Sequence, residues 1–165
     1  MPAGDDEAYF SFATVAERAS RDLYRASYAR KGFTALERRH LHAVATAKRA
    51  HIMRLDAVLG ADAPLSGDFV TVLPKGGLTT RPRILALAAK LETLLVRVYL
   101  SGVGAVSDPA SRLLLGRLLT YDAQALTWLQ VAAGHPSPSG LEGPIDLERA
   151  AAQLDKYLST PDSPD

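Results

Sequence analysis

Apolar residues recur along this chain at alternating steps of three and four, the spacing of a single buried face on an α-helix. Four such stripes are present. The first reads Phe10, Ala13, Glu17, Ser20, Tyr24, and the second Leu41, Val44, Lys48, His51, Leu55, Val58. The third reads Leu85, Ala88, Glu92, Leu95, Tyr99, and the fourth Leu115, Leu118, Asp122, Ala125, Leu129, Ala132. The pattern predicts four long helices, each with a charged residue near the middle of its buried face.

Local signals bound these helices. The first is expected from about Asp6 to Lys31, stopped by Gly32, a residue suited to the left-handed position past a helix end. The second opens at "TALE", where Thr34 can cap and Glu37 can reach back as a capping box, and runs to Leu59 before Gly60. About twenty residues follow, "ADAPLSGDFVTVLPKGGLTT", a long connection with room for a short extended piece at "DFVTVL". The third helix starts after Thr80 with Pro82 in its first turn, and is expected to end near Ser101 before Gly102 and Gly104. The fourth starts at "SDPA", capped by Ser107 or Asp108, and ends at Gly134. A short fifth helix is expected over about Asp146 to Leu158, and the tail "STPDSPD" reads as disordered.

Short links make antiparallel neighbours, and a long crossover sets two helix pairs across a bundle from one another. The expected fold is therefore all-α: a four-helix bundle over residues 6–134, with a crossover between the second and third helices. A short C-terminal helix and tail occupy residues 135–165 of a single domain. A length of 165 residues suffices for such a domain to bury roughly 70% of the surface its unfolded chain would expose.

A charge buried without a partner is expensive. Glu17, Lys48, Glu92 and Asp122 at one level of a bundle are better read as partners of one another, with His51 beside them. The halves of the chain also repeat. Glu17 to Tyr24 and Glu92 to Tyr99 are both steps of seven, while Glu17 to Lys48 spans 31 residues and Glu92 to Asp122 spans 30. One antiparallel helix pair thus occurs twice, and a shared polar layer follows from that symmetry.

Over roughly Tyr9 to Gly134 the chain resembles the ferritin-like superfamily, in particular the branch of ferritin-like domains that includes desiccation-related proteins. The resemblance implies a ferritin-like bundle with two iron or manganese ions, held by a Glu on the first and third helices and a Glu-x-x-His on the second and fourth. Glu17 and Glu92 match the single glutamates. "KRAH" stands at the second-helix motif, so His51 matches and Lys48 replaces a carboxylate. "DAQA" stands at the fourth-helix motif, where Asp122 is a shortened carboxylate and Ala125 replaces the histidine.

These substitutions leave three carboxylates and one imidazole, and put an ammonium where a metal would sit. Two like unit charges at 4 Å repel by about 4 kcal/mol at an effective dielectric near 20, and a dication is repelled more strongly. A two-metal centre is disfavoured on that ground. Two readings stay open: Lys48 bridges Glu17, Glu92 and Asp122 as their counter-ion and no cofactor binds, or one Fe or Mn ion sits on Glu17, His51 and either Asp122 or Glu92. Tyr24 and Tyr99 would be redox-active or supporting neighbours in a metal enzyme, and otherwise plain core residues.

The corresponding functions are a ferritin-like protein that has lost di-iron oxidase activity and serves a structural, stress-related or ligand-binding role, or an oxidoreductase with a single-metal or tyrosine-based centre. Iron storage in a large shell is disfavoured by the incomplete ligand set and the Pro-rich segment after Gly134.

Composition narrows the partners. A formal charge of +1 gives no electrostatic case for nucleic acid, and apolar runs such as "ILALAA" are too short to span a bilayer. Cys is absent, which excludes disulfides and thiolate chemistry. "MPAGDDEAYF" is acidic where a signal peptide needs positive charge, so the chain as written reads as cytoplasmic, or as exported if a signal has been removed. A homodimer stays open, and any small-molecule ligand is unknown. His40 and His42 are expected on the solvated surface, and His135 is an isolated loop residue. The basic cluster at Arg38 and Arg39 is too short for a nucleic-acid patch, and Gly76–Gly77 lacks the Lys-Ser/Thr of a phosphate loop.

Overall fold

The computed structural model describes residues 4–135 and 142–159. It contains five helices, α1 (Gly4–Ser27), α2 (Ala35–Leu59), α3 (Arg81–Ala105), α4 (Pro109–Ala132) and α5 (Leu147–Leu154), and two short strands, β1 (Val70–Thr71) and β2 (Leu158–Ser159). The first four helices form the expected all-α bundle, and the crossover from α2 to α3 lies where the sequence places it. α1 packs closely on α2 and α3, and α3 on α4, whereas α2 and α4 make few backbone contacts with each other.

The start of α2 follows its sequence signals. The Glu37 backbone N–H donates to Thr34 Oγ1 at 3.2 Å, and the Thr34 N–H donates to Glu37 Oε2 at 2.8 Å, a reciprocal capping box. Glu37 also accepts from Arg81, which ties the start of α3 to the start of α2. α4 is capped by Asp108, whose carboxylate accepts from the Ser111 N–H at 2.7 Å. Ser107, the other candidate cap, donates its N–H and hydroxyl to buried Asp6 instead, pinning the α3–α4 turn to α1.

Three boundaries differ from the sequence reading. α1 stops at Ser27 rather than Lys31. The Ser27 hydroxyl donates to the Leu23 carbonyl at 2.6 Å, and Arg38 draws the Tyr28 and Phe33 carbonyls back onto α2, so the chain turns early to bury Phe33. Gly32, at φ 91°, serves that turn rather than the helix end.

α3 continues through Gly102 to Ala105 instead of ending near Ser101. A Cβ on Gly102 would meet Leu115 Cδ1 at 2.8 Å and Tyr9 Cδ1 at 3.3 Å. Close approach of helices, not chain termination, explains this glycine.

The third difference is at the C-terminus. α5 ends at Leu154, a 3-10 turn covers Asp155–Tyr157, and the chain then becomes β2. β2 pairs antiparallel with β1, Val70 opposite Ser159 and Thr71 opposite Leu158, and the Val72 N–H donates to the Tyr157 carbonyl at 2.8 Å. The extended piece expected in the crossover thus has a partner, and pairing with it requires the fifth helix to stop early. The tail beyond Ser159 lies outside the described residues.

Candidate functional site

All five charged or titratable residues of the central stripes meet in one layer. Lys48 is fully buried, and its Nζ lies 2.7 Å from Asp122 Oδ1, 3.0 Å from Glu92 Oε2 and 3.2 Å from Glu17 Oε2. Glu17, Glu92 and Asp122 are likewise fully buried. His51 Nδ1 is 3.1 Å from Glu17 Oε1 and 3.9 Å from Asp122 Oδ1. Each helix contributes a member because each places its polar residue on the face that looks inward. Ala125 is buried one turn from Asp122 and offers no donor atom.

The two tyrosines are not equivalent, although the sequence repeat places them alike. The Tyr99 hydroxyl donates to Glu17 Oε1 at 2.6 Å. Tyr24 lies close enough to Glu92 for that carboxylate to raise its pKa, but its hydroxyl is without a well-formed hydrogen bond, while Ser20 donates to Glu92 Oε1 at 2.7 Å. Ser20 is the member of the layer that the stripe contained but the sequence reading gave no role. Its signal was its position three residues after Glu17, on the same helix face.

Three carboxylates share one ammonium, so the layer carries an excess of acid. Burial opposes the charge on Lys48, but attraction from Asp122, Glu17 and Glu92 overrides it and holds the amine above its ordinary pKa. Burial raises Asp122 well above the usual carboxylate range, reinforced by Glu17 and Glu92, and raises Glu92 as well. In Glu17 the opposite balance holds: burial is outweighed by Lys48 and by hydrogen bonds from His51 and Tyr99, and its pKa is lowered. The three acids titrate as one coupled group, with burial favouring the neutral form of Asp122 and Glu92 and the Glu17 partners favouring its charged form. Burial and the neighbouring carboxylates push both Tyr24 and Tyr99 well above the usual phenol range, which keeps them neutral.

The surroundings correct one expectation and add a contact. His40 is not a solvated surface residue. Its ring stacks on Trp128 at 3.9 Å, its Nε2 is buried without a partner, and burial lowers its pKa. His51 meets the Tyr121 ring edge-on at 5.0 Å.

A bundle of two antiparallel helix pairs joined by a crossover, with carboxylates projecting inward at one level, defines a ferritin-like protein. The chain matches the ferritin-like domain family over residues 5–135, and it belongs to that family. No curated protein and no solved structure matches it. Among the described residues, no helix is long and apolar enough to cross a membrane.

The residues present do not fit a pair of metal ions. The Lys48 ammonium stands among the carboxylates that would hold them, and Ala125 supplies no nitrogen. For a single ion the donors fit better: Glu17, His51 and Asp122 each bring one ligand atom within 4.8 Å of the others. Asp122 Oδ1 is already the closest partner of Lys48, but Asp122 Oδ2 is buried without a hydrogen-bond partner, which leaves acceptor capacity in the layer.

Proposed function

We propose that this protein is a ferritin-like bundle in which a buried ion-pair network takes the place of the metal pair. It has lost di-iron oxidase activity, needs no cofactor, and serves a structural, stress-related or ligand-binding role. One observation carries the reading: a single ammonium, Lys48 Nζ, lies within 3.2 Å of three buried carboxylates. The ammonium donates to Glu92 and Asp122 and adds a charge contact with Glu17 Oε2, which is itself without a hydrogen bond, so the network neutralises internally part of the negative charge that would otherwise call for metal.

Elemental analysis tests this. Protein purified from cells grown with excess iron or manganese should carry far less than two metal ions per chain. Two tightly held ions per chain would overturn the proposal.

A second reading is favoured by the Glu17, His51 and Asp122 grouping. In it the protein is an oxidoreductase using one Fe or Mn ion on these residues, with Tyr99 hydrogen-bonded to a ligand. One ion per chain, lost in His51→Ala, would select it over the first.

A further inference from the structure

Outside the charged layer, the solvent side of the α1–α2 pair carries a cluster of cations facing a groove. From α1 come Arg21, Arg25 and Tyr28, and from α2 come His42, Thr46 and Arg49, with Ala45 as part of the floor. Each set steps by threes and fours, so each is a single helix face, and the antiparallel pairing lays the two faces side by side. The cavity between them is about 340 Å³ and has no carboxylate in its lining. That volume is at the small end of the range for small-molecule sites, roughly 300–1,000 Å³.

The cations there are largely uncommitted. Arg21 pairs with Asp22 at 2.8 Å, and the other Asp22 oxygen accepts from Thr71 at 3.0 Å, which directs that carboxylate toward the crossover. Arg25 and Arg49 are exposed and, among the described residues, form no ion pair. His42 meets the Tyr28 ring edge-on at 5.4 Å, placing an aromatic pair at one end of the groove. Like charges gathered in one groove repel one another, and a bound anion relieves that repulsion. Guanidinium groups match the oxygens of a phosphate in pairs, which a lysine ammonium does not.

We propose that this groove binds a small phosphomonoester, with Arg25 and Arg49 on the phosphate, Arg21 in support, and the organic part against Tyr28 and His42. The groove opens to solvent whereas Lys48 is fully buried, and the two share no residue, so the site stands whether or not the central layer holds a metal. Titration calorimetry at fixed ionic strength, with inorganic phosphate and phenyl phosphate as probes, tests it. Both probes should saturate one site, and phenyl phosphate should bind more tightly because only it can reach the aromatic pair. Arg25→Ala/Arg49→Ala should weaken both by on the order of tenfold or more, while leaving the melting temperature nearly unchanged because both residues are exposed. Arg25→Lys/Arg49→Lys keeps the charge and should still lose several-fold in affinity. Three results would overturn the assignment: no saturable binding at millimolar probe, unchanged affinity in the lysine variant, or binding only of long polyanions. The last two would mean diffuse surface charge.

Discussion

Lys48 on α2 and Asp122 on α4 are 2.7 Å apart, although their helices make few backbone contacts with each other. The ion pair links two helices whose backbones stay well apart, so it is the side chains that bridge them.

Removing the ammonium leaves three buried carboxylates facing one another. Lys48→Met is expected to cost about 3–5 kcal/mol, the usual penalty for breaking a buried pair from one side. The sign of the pH effect follows from the acids. Without Lys48, the folded-state pKa values of Glu17, Glu92 and Asp122 all rise, so the folded state binds more protons than the unfolded one and stability falls as pH increases. The deficit relative to the parent protein should therefore be greater near about pH 8 than near about pH 5. Thermal unfolding of both proteins at the two pH values measures it. A neutral effect at both would mean that Lys48 is not the counter-ion.

Glu17 and Asp122 should respond differently when neutralised. The folded pKa of Glu17 is lowered, so its charged form contributes stability above its unfolded value, which is lost as pH falls through the folded one. Glu17→Gln should destabilise at neutral pH by about 1–3 kcal/mol, because Tyr99 and His51 lose a charged acceptor and Lys48 loses a nearby negative charge. Asp122 has a raised pKa, so its ionisation opposes folding as pH rises above its unfolded value. Asp122→Asn keeps an acceptor for Lys48 and should be near neutral or stabilising at the same pH. Denaturant melts of the two variants at neutral pH compare them directly.

Rebuilding the donor set should create a metal requirement. Lys48→Glu with Ala125→His supplies four carboxylates and two imidazoles at the positions that match the family pattern. Without metal the acids have no cation, and the double variant should melt below the parent protein. Added Fe(II) or Mn(II) should restore the melting temperature, since a ligand that binds only the folded state stabilises it. Scanning calorimetry with and without metal gives the result, and an unchanged melting temperature on metal addition would count against matching these positions to the family's ligand pattern.

Two glycines inside helices should part company on substitution by alanine. At Gly102 the new Cβ would press on Leu115 at 2.8 Å, and overpacking of this kind costs about 1–3 kcal/mol, more than the helix preference of alanine returns. At Gly116 nothing lies within 4 Å, so the helix preference acts alone and Gly116→Ala should stabilise by up to about 1 kcal/mol. Melting temperatures of the two single variants are enough to check this.

By itself, the sequence determined the four helices, their order and the level at which their polar residues meet. These follow from a local rule: a helix repeats every 3.6 residues, so a charged residue in register with an apolar stripe must point where the stripe points. Glu17, Lys48, His51, Glu92 and Asp122 were legible for that reason, and so was the capping box at Thr34. Only the tertiary structure decided contacts that depend on how far apart two elements come to rest. The repeat places Tyr24 and Tyr99 alike, yet Tyr99 donates to Glu17 while Glu92 accepts from Ser20 and the Tyr24 hydroxyl is left without a well-formed hydrogen bond. Gly102 looked like a helix end and is a packing contact with Leu115 and Tyr9. The stretch from Asp155 to Leu158 reads as helix but gives it up, so that Leu158 and Ser159 pair with Thr71 and Val70, which lie far away in sequence. Distances across the bundle depend on every side chain between the helices at once, and no periodicity along one segment encodes them.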